Sequence, residues 1–337
     1  MVWRNSIVNR KSGVASPASA LLLTFEGTGA RLRAKVPLEV RNSSGGNVLI
    51  TQLDRIGLIV SEGDRSADFY ADCLGMTRVS RKASDDFNPN VGRVFDVPDA
   101  VIRKLIRLSN GKFYLLLFEF TPKGRQQALP VNNLGSLALA LPSTNIAEDY
   151  RRLSAKAPKI LMPPTARGGH TVCYAADPDG SAAGFMDNVP EGIDAVVSVT
   201  VNDAAASAAF YANFRHSRLP ELDEADTDHK TVGTRLGTVG FQWYEFLRGK
   251  GTERQSPMNN AGAVQFDHFT DDIDADYQRI HDYGATVISP PVKTTRGVAS
   301  TGFDPDGNMW ELSSDDGVQP KDVEYYQRTY VSSAERG

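Results

Sequence analysis

The chain has 337 residues, of which 41% are hydrophobic and 23% are charged, and its formal net charge is -4. This composition is that of an ordinary globular protein, and the length predicts two or three domains. An acidic balance without a stripe of Lys and Arg argues against a nucleic-acid partner. The longest apolar runs fall far short of the ~20 residues that cross a bilayer, which argues against a membrane partner.

Two cysteines, Cys73 and Cys173, are too few for a disulfide framework, and the sequence has no CxxC pair that would indicate a zinc site. We interpret both as buried free thiols. Because free thiols are typical of a reducing compartment, we expect a cytoplasmic protein.

The first 50 residues differ from the rest of the chain. Basic residues precede an apolar stretch at 20–25, which is shorter than the ~7–15 residues of a secretory signal core. The run from Asn42 to Asn47 is rich in Ser and Gly, as flexible linkers are. We expect residues 1–50 to form a disordered extension, and translation from Val48 is the alternative interpretation. A C-terminal tail is expected over 316–337.

An internal repeat organises the remainder. Strand-like runs at 53–60 and 196–201 are each followed, nine residues later, by Phe-Tyr. Strand-like runs at 137–141 and 264–268 each lead to a helical i, i+4, i+7 apolar stripe, then to Pro-Pro, then to Asp-Pro-Asp-Gly. Such a match indicates an ABAB repeat, with units near 51–125, 130–190, 191–250 and 260–315.

Each unit is predicted to contain a strand, a helix and then two or three strands, with Asp-Pro-Asp-Gly as a turn. Side chains alternate between the two faces of a strand. We therefore expect an apolar set from the first strands to pack under the helices: Ile56, Leu58, Val60, Leu137, Leu139, Leu141, Val197, Val199 and Val201. The opposite, concave face should carry Arg55, Gly57, Ala138, Ala140, Val196, Ser198, Gln265 and Asp267.

Three motifs carry a family resemblance: Phe69-Tyr70 followed by Leu74-Gly75-Met76, the helix start at 271–274, and the segment 303–312 around the second Asp-Pro-Asp-Gly. The chain resembles the vicinal oxygen chelate superfamily over residues 51–315. That superfamily includes glyoxalase I, methylmalonyl-CoA epimerase, extradiol dioxygenases, fosfomycin-modifying enzymes and bleomycin-binding proteins.

The resemblance implies an α+β fold in which four βαβββ units pair into two open, cup-shaped mixed sheets. Adjacent units form a cup in this family, so the expected domains are 51–190 and 191–315. A divalent metal sits in such a cup, with ligands from the first and last strand of each unit. The positions in the first cup hold Arg55, Glu119, Ala138 and Gly184. Those in the second hold Val196, Glu245, Gln265 and Glu311.

The first cup should not bind a metal, because Arg55 is a permanent cation and Ala138 and Gly184 have no donor atoms. An ion pair between Arg55 and Glu119 is expected at its centre, with His170 lining the pocket. These three residues are the predicted substrate-binding groups of the first cup.

The second cup offers the oxygen ligands Glu245, Gln265 and Glu311, a set that favours Mg²⁺ or Mn²⁺. Glu245 and Glu311 are the predicted catalytic carboxylates, each as base or ligand, and Gln265 would bind and polarise a substrate oxygen. A plain polar pocket residue is an equal interpretation of Glu311. The absence of histidine from these positions argues against an extradiol dioxygenase.

The histidines give further expectations. Strand parity places His268 opposite Gln265, on the helix side, as a structural residue. We expect His216, His229 and His281 to be exposed because their neighbours in the sequence are polar.

The leading functional hypothesis is a glyoxalase-like lyase, isomerase or epimerase that acts on a small molecule in the second cup, with a degenerate or absent metal site. The alternative is a non-catalytic protein that binds or sequesters a small molecule, and a third interpretation makes the first cup a remnant. A monomer and a homodimer both remain open.

Overall fold

A computed structural model describes residues 50–83, 91–294 and 297–314. Nearly all of the predicted extension (1–50) and the whole predicted tail (316–337) lie outside these residues. The first βαβββ unit contains β1 (Ile50–Ile59), α1 (Gly63–Leu74), β2 (Thr77–Ala83), a short α2 (Val91–Val94), β3 (Val101–Ser109) and β4 (Tyr114–Thr121). The second contains β5 (Leu137–Pro142), α3 (Ile146–Lys156), β6 (Lys159–Arg167), β7 (His170–Ala176) and β8 (Ala182–Met186).

The third unit contains β9 (Ala195–Thr200), α4 (Ala204–Ala212), the two-residue strands β10 (Ser217–Arg218) and β11 (Glu224–Ala225), β12 (His229–Leu236) and β13 (Val239–Phe246). The fourth contains β14 (Val264–Thr270), α5 (Ile273–Asp282), β15 (Thr286–Thr294), β16 (Gly297–Phe303) and β17 (Met309–Ser314). All four predicted units are therefore present, and no described helix is long and apolar enough to cross a membrane.

The strands form two mixed sheets. Sheet I has eight strands in the order β15-β16-β17-β14-β1-β4-β3-β2. Sheet II has nine, in the order β10-β12-β13-β9-β5-β8-β7-β6, with β11 paired to β12. The predicted fold of two open, mixed sheets is confirmed.

The pairing of the units differs from the prediction. In sheet I the first and fourth units meet, because β1 runs antiparallel to β14 with Ile56 opposite Phe266. In sheet II the second and third units meet, with Leu139 of β5 opposite Val197 of β9. The expected pairing of adjacent units is wrong, and the sequence halves 51–190 and 191–315 do not coincide with the sheets. All four first strands carry similar apolar patterns, so the sequence alone does not specify which edges join.

The helix-facing sides of both sheets contribute to one continuous apolar cluster. It contains the whole apolar set predicted from strand parity: Ile56, Leu58, Val60, Leu137, Leu139, Leu141, Val197, Val199 and Val201. Trp243 and Trp310 are fully buried in it, and Tyr211 stacks on Trp243 with ring centroids 4.3 Å apart. Each large apolar side chain buried in this way contributes roughly 1.5–3 kcal/mol.

The two Asp-Pro-Asp-Gly turns hold the helices of the preceding units. The Tyr70 hydroxyl of α1 donates to Asp177 at 3.2 Å, and the Tyr211 hydroxyl of α4 donates to Asp304 at 3.0 Å. These bonds join the first unit to the second and the third to the fourth. The sheets instead join the first unit to the fourth and the second unit to the third. Strand pairing therefore connects the two halves of the chain, and the tyrosine hydrogen bonds connect the two units within each half.

Candidate functional site

The concave face of sheet I, opposite the helices, is filled by aromatic side chains. Phe95, which follows α2, packs on Phe118 and Phe120 of β4 with both centroid separations at 5.3 Å. The Thr301 hydroxyl donates to the backbone oxygen of Val94 at 2.9 Å and fixes this segment over the sheet. The described side chains thus occupy the space that a ligand would take in an open cup.

A polar group of residues lies beside these aromatics. Arg55 forms an ion pair with Asp267, whose side chain is fully buried. Asp267 also accepts a hydrogen bond from the Ser313 hydroxyl at 2.6 Å. The Gln265 amide donates to Glu311. The structure therefore brings together three of the predicted site residues, Arg55, Gln265 and Glu311.

This polar group does not fit a metal of the family type. A guanidinium is permanently charged, and that of Arg55 already provides a cation for the Asp267 carboxylate. Phe118 and Phe120 of β4 face this side without a donor atom. The described residues at these positions of sheet I therefore do not fit the family's metal.

Glu119 and Glu245 lie on the helix side of their strands. Glu119 accepts a hydrogen bond from the backbone N–H of Gly63 at 2.9 Å, and Glu245 accepts one from Ala204 N–H at 3.0 Å. Both N–H groups belong to helix N-termini, where a carboxylate is electrostatically favourable. The same contact thus recurs in the first and third units.

These positions correct two predictions. Arg55 pairs with Asp267, whereas Glu119 pairs with Arg103 at 3.3 Å and Lys104 at 3.6 Å. The expected ion pair between Arg55 and Glu119 is therefore wrong.

The metal set of Glu245, Gln265 and Glu311 is not assembled either. Glu245 belongs to sheet II, where Lys230 pairs with it at 2.9 Å, whereas the other two residues belong to sheet I. Two physical causes account for this. The first and fourth units share one sheet, so the third unit, which carries Glu245, lies in the other. The neighbours of both Glu119 and Glu245 are apolar or aromatic on both faces, so the sequence alternation does not reveal which face either carboxylate occupies.

A cavity of about 1040 Å³ borders the concave face of sheet II and extends to residues of α1 and the end of α3. Small and apolar side chains form its floor, among them Ala138, Val172, Ala182 and Met186. The family's ligand positions on this sheet hold Ala138, Gly184 and Val196, which have no donor side chain. Ala138, Gly184 and Val196 cannot coordinate a metal through their side chains, so these residues do not fit the family's central metal site.

One wall of the cavity carries an ordered polar network. The Ser198 hydroxyl donates to the Gln242 side-chain oxygen at 2.8 Å, and the Gln242 amide donates to the backbone oxygen of Leu222 at 3.1 Å. Tyr174 also borders the cavity, and burial raises the pKa of its hydroxyl, which therefore stays protonated. These groups offer fixed hydrogen-bond donors and acceptors above an apolar floor.

A cationic group lies on the same wall. The Arg167 guanidinium donates to the Tyr244 hydroxyl at 3.0 Å and lies 3.9 Å from Glu224. Burial raises the pKa of Tyr244 to about 12, so that its hydroxyl is also a donor at neutral pH. The side chain of Arg167 is 33% exposed and borders the cavity.

His170 lines this cavity, which borders the sheet of the second and third units and not the predicted first cup. Its Nδ1 lies 3.2 Å from the backbone oxygen of Asp187, and its Nε2 lies 2.9 Å from that of Glu221. Because backbone oxygens only accept hydrogen bonds, a neutral His170 ring donates to one of the two. Substrate binding by His170 stays a prediction.

The remaining histidines fall into two groups. His268 is buried on the helix side, as predicted, and burial lowers its pKa to about 4. His216 was expected to be exposed but is buried, with its Nε2 3.2 Å from that of His268. His281 is exposed, as predicted.

The prediction for His229 is wrong as well. His229 is only 3% exposed, and its ring stacks on Tyr244 with ring centroids 4.6 Å apart. Polar neighbours in the sequence suggested a surface position, but the β11–β12 hairpin folds the ring against the sheet.

Comparison with known proteins places the fold in a family. A sequence model described as the Glyoxalase/Bleomycin resistance protein/Dioxygenase superfamily matches residues 52–185 and 192–312. The chain belongs to this superfamily. The resemblance drawn from the sequence motifs is thereby confirmed.

Solved structures of the superfamily share the architecture. Glyoxalase I from Zea mays is 16% identical, with a TM-score of 0.57, and the match covers 77% of this chain and 91% of that one. A putative dioxygenase from Bacillus subtilis is 17% identical, with a TM-score of 0.59 and coverage of 83% and 90%. Likeness at this level shows the fold. No curated protein sequence matches the chain.

Sequence reasoning missed most of the polar side chains of the cavity. Tyr174 could have been found from His170, because the two residues share strand parity. Glu224, Asp226 and His229 carry a second signal, since three potential metal ligands lie within six residues of one another in the sequence. Arg167 has no local signal, because only the pairing of the second and third units brings it to Tyr244.

Proposed function

We propose that the protein binds a small organic molecule in the cavity of sheet II. The observation that carries this proposal is the contrast between the sheets: aromatic side chains fill the concave face of sheet I, whereas sheet II borders a cavity of about 1040 Å³. Small-molecule sites measure roughly 300–1,000 Å³ and combine apolar lining with a few placed polar groups. Membership of the superfamily supports the proposal.

The side chains indicate the class of ligand. An apolar floor with Val172 and Met186 favours a molecule with an extended hydrophobic portion. Arg167 favours a carboxylate or another anionic oxygen group at one end, because its planar guanidinium pairs with such groups. The Tyr174 and Tyr244 hydroxyls add donors for neutral oxygens. We therefore propose an amphipathic ligand with an acidic or oxygen-rich end.

A second candidate function is a glyoxalase-like lyase, isomerase or epimerase reaction in the same cavity. The observation that favours it is Glu224, a carboxylate on the cavity wall between Arg167 and His229. Glu224 would move the proton in place of Glu245 and Glu311, the carboxylates predicted from the sequence, because neither of those lines this cavity. The reaction would proceed without the family's central metal.

A screen of small aromatic and aliphatic carboxylates by thermal shift tests the binding proposal. Ala138→Trp should fill the cavity and abolish the stabilisation by any ligand found, whereas Ala206→Trp, on the exposed face of α4, should leave it unchanged. Circular dichroism checks that both variants fold. Equal ligand affinity in Ala138→Trp and the parent protein would place the ligand elsewhere.

Arg167→Ala tests the recognition of the acidic end. We expect carboxylate ligands to bind at least tenfold more weakly and their uncharged amides to bind unchanged, with the exposed Arg151→Ala as a matched control. Incubation of the bound ligand in D₂O, followed by NMR, separates the two candidate functions. Deuterium incorporation that is lost in Glu224→Gln supports catalysis, and no exchange supports binding alone.

A further inference from the structure

Three potential ligand side chains meet on the hairpin between β11 and β12. Glu224, Asp226 and His229 each offer one ligand atom, and these atoms lie within 4.8 Å of one another. The Nε2 atom of His229 lies 3.2 Å from Glu224 Oε1, and its Nδ1 atom lies 3.0 Å from Asp226 Oδ1. The hairpin lies apart from the central positions of the sheets, where the family places its metal.

The Nε2 atom of His229 points to a missing ligand. It is buried, and it makes no hydrogen bond with any part of the chain that the structure describes. A buried polar nitrogen left in this state destabilises the fold, because its lost hydration is not replaced by a hydrogen bond. Glu224 Oε1 lies 3.2 Å from this nitrogen without meeting hydrogen-bond geometry.

The spacing of the two atoms suits a metal ion. Zinc binds imidazole nitrogen and carboxylate oxygen at about 2.0–2.1 Å in tetrahedral geometry, which puts two such ligand atoms about 3.3 Å apart. The observed separation between Nε2 and Oε1 is 3.2 Å. Imidazole with carboxylate is also a donor set that suits divalent transition metals.

Asp226 holds the imidazole in the required orientation. It lies against Nδ1, so the ring can donate its proton there and leave Nε2 as the free donor atom for a metal. Asp226 Oδ1 is itself fixed by the backbone N–H groups of Asp228 at 2.7 Å and His229 at 2.9 Å. Stacking on Tyr244 fixes the plane of the ring. Carboxylate, imidazole and metal in series is the usual arrangement of histidine ligands.

We propose that Glu224 and His229, oriented by Asp226, bind a divalent transition-metal ion such as Zn²⁺ on the wall of the sheet II cavity. Water or an oxygen of a molecule in the cavity completes the coordination, because Glu224 borders that space. The site goes beyond the proposed small-molecule binding, which needs no metal.

Arg167 competes with the ion. Its guanidinium lies 3.9 Å from Glu224 and is the nearby cation that the carboxylate now faces. A metal on Glu224 would therefore meet repulsion from Arg167, whose guanidinium also donates to the Tyr244 hydroxyl. Because Arg167→Ala removes a positive charge beside Glu224, this variant should bind the metal several-fold more tightly.

Titration of the tag-free protein with Zn²⁺ by calorimetry, and with Co²⁺ by visible absorption, tests the site. We expect one ion per chain at this site. His229→Gln should weaken its affinity at least tenfold, and Asp226→Asn by about 10–100-fold because it removes the support of the histidine. His281→Gln is the matched control: this exposed histidine lies 3.6 Å from Asp282, and its loss should change nothing.

The variants also cover a failure to fold. If His229→Gln loses its circular dichroism signal, Glu224→Gln and Arg167→Ala decide the question by opposite changes, weaker and tighter. Absence of bound ion at millimolar Zn²⁺ and Co²⁺, or equal binding by all these variants, overturns the proposal. Because the probe is the metal alone, this result is independent of whether an organic ligand is found.

Discussion

Asp267→Asn tests the buried ion pair at the centre of sheet I. The Asp267 side chain is fully buried and that of Arg55 is 14% exposed, so little water is available to replace a lost partner. Removal of one member of a buried pair destabilises a protein by about 3–5 kcal/mol. For a folded region of roughly 150–250 residues, that corresponds to a melting temperature lower by roughly 6–20 °C, at about 2–4 °C per kcal/mol.

Urea unfolding of the single variants and of the double variant Arg55→Met, Asp267→Leu measures the coupling. The double variant should recover most of the loss, because it leaves no uncompensated charge. Arg78→Met is the control: its partner Asp68 is 72% exposed, and surface pairs contribute about 0–1 kcal/mol. A loss below 1 kcal/mol in Asp267→Asn would refute the assignment of Asp267 as the principal partner of Arg55.

Three further predictions follow from the fold. Burial lowers the pKa of His268 from 6.5 to about 4, so its neutral form contributes stability that is complete above pH 6.5 and is lost as the pH falls toward 4. In urea unfolding, His268→Gln should therefore remove up to about 3 kcal/mol of the dependence of stability on pH. His281→Gln should leave this pH dependence unchanged. A chain cut within 188–193 should give two halves that fold only together, because each sheet takes strands from both halves. Co-purification and circular dichroism measure this. Two halves that each fold as monomers would contradict the observed pairing of the units. Glu245→Gln should lower stability by about 1 kcal/mol, because the variant loses the carboxylate charge at the N-terminus of α4. Its ligand affinity should not change. A loss of ligand binding would instead support the predicted role of Glu245 in the site.

The sequence was sufficient for the elements and for most strand faces. Ile56 and Leu58 alternate with Arg55 and Gly57, and the structure buries both, with Val60, in the helix-side cluster. The repeated Phe-Tyr and Asp-Pro-Asp-Gly motifs located all four units because both form local contacts: a helix surface and a turn closed by its own aspartates.

Unit pairing and the orientation of two carboxylates could not be obtained in this way. Residues 115–120 read Leu-Leu-Leu-Phe-Glu-Phe, so both faces of β4 are apolar and Glu119 fits either one. Its true direction depends on a contact with Gly63, 56 positions away. Long-range contacts of this kind determine which side chains face the concave side of each sheet. They therefore also determine which residues can form a site.

The burial of His229 has a similar origin. Its sequence neighbours Thr227 and Asp228 are polar, and the hairpin that contains them is exposed at its tip. Only the pairing of β12 with β13 brings His229 opposite Phe246 and against Tyr244. A spacing search for metal-ligand residues would have found the cluster, but would not have shown that its imidazole is buried.

A crystal structure with the tightest ligand from the carboxylate screen tests the central claim most directly. We expect the ligand in the sheet II cavity, with its acidic end at Arg167 and its apolar portion over Val172 and Met186. Ligand density on the concave face of sheet I, with Phe95 displaced from Phe118, would contradict the account.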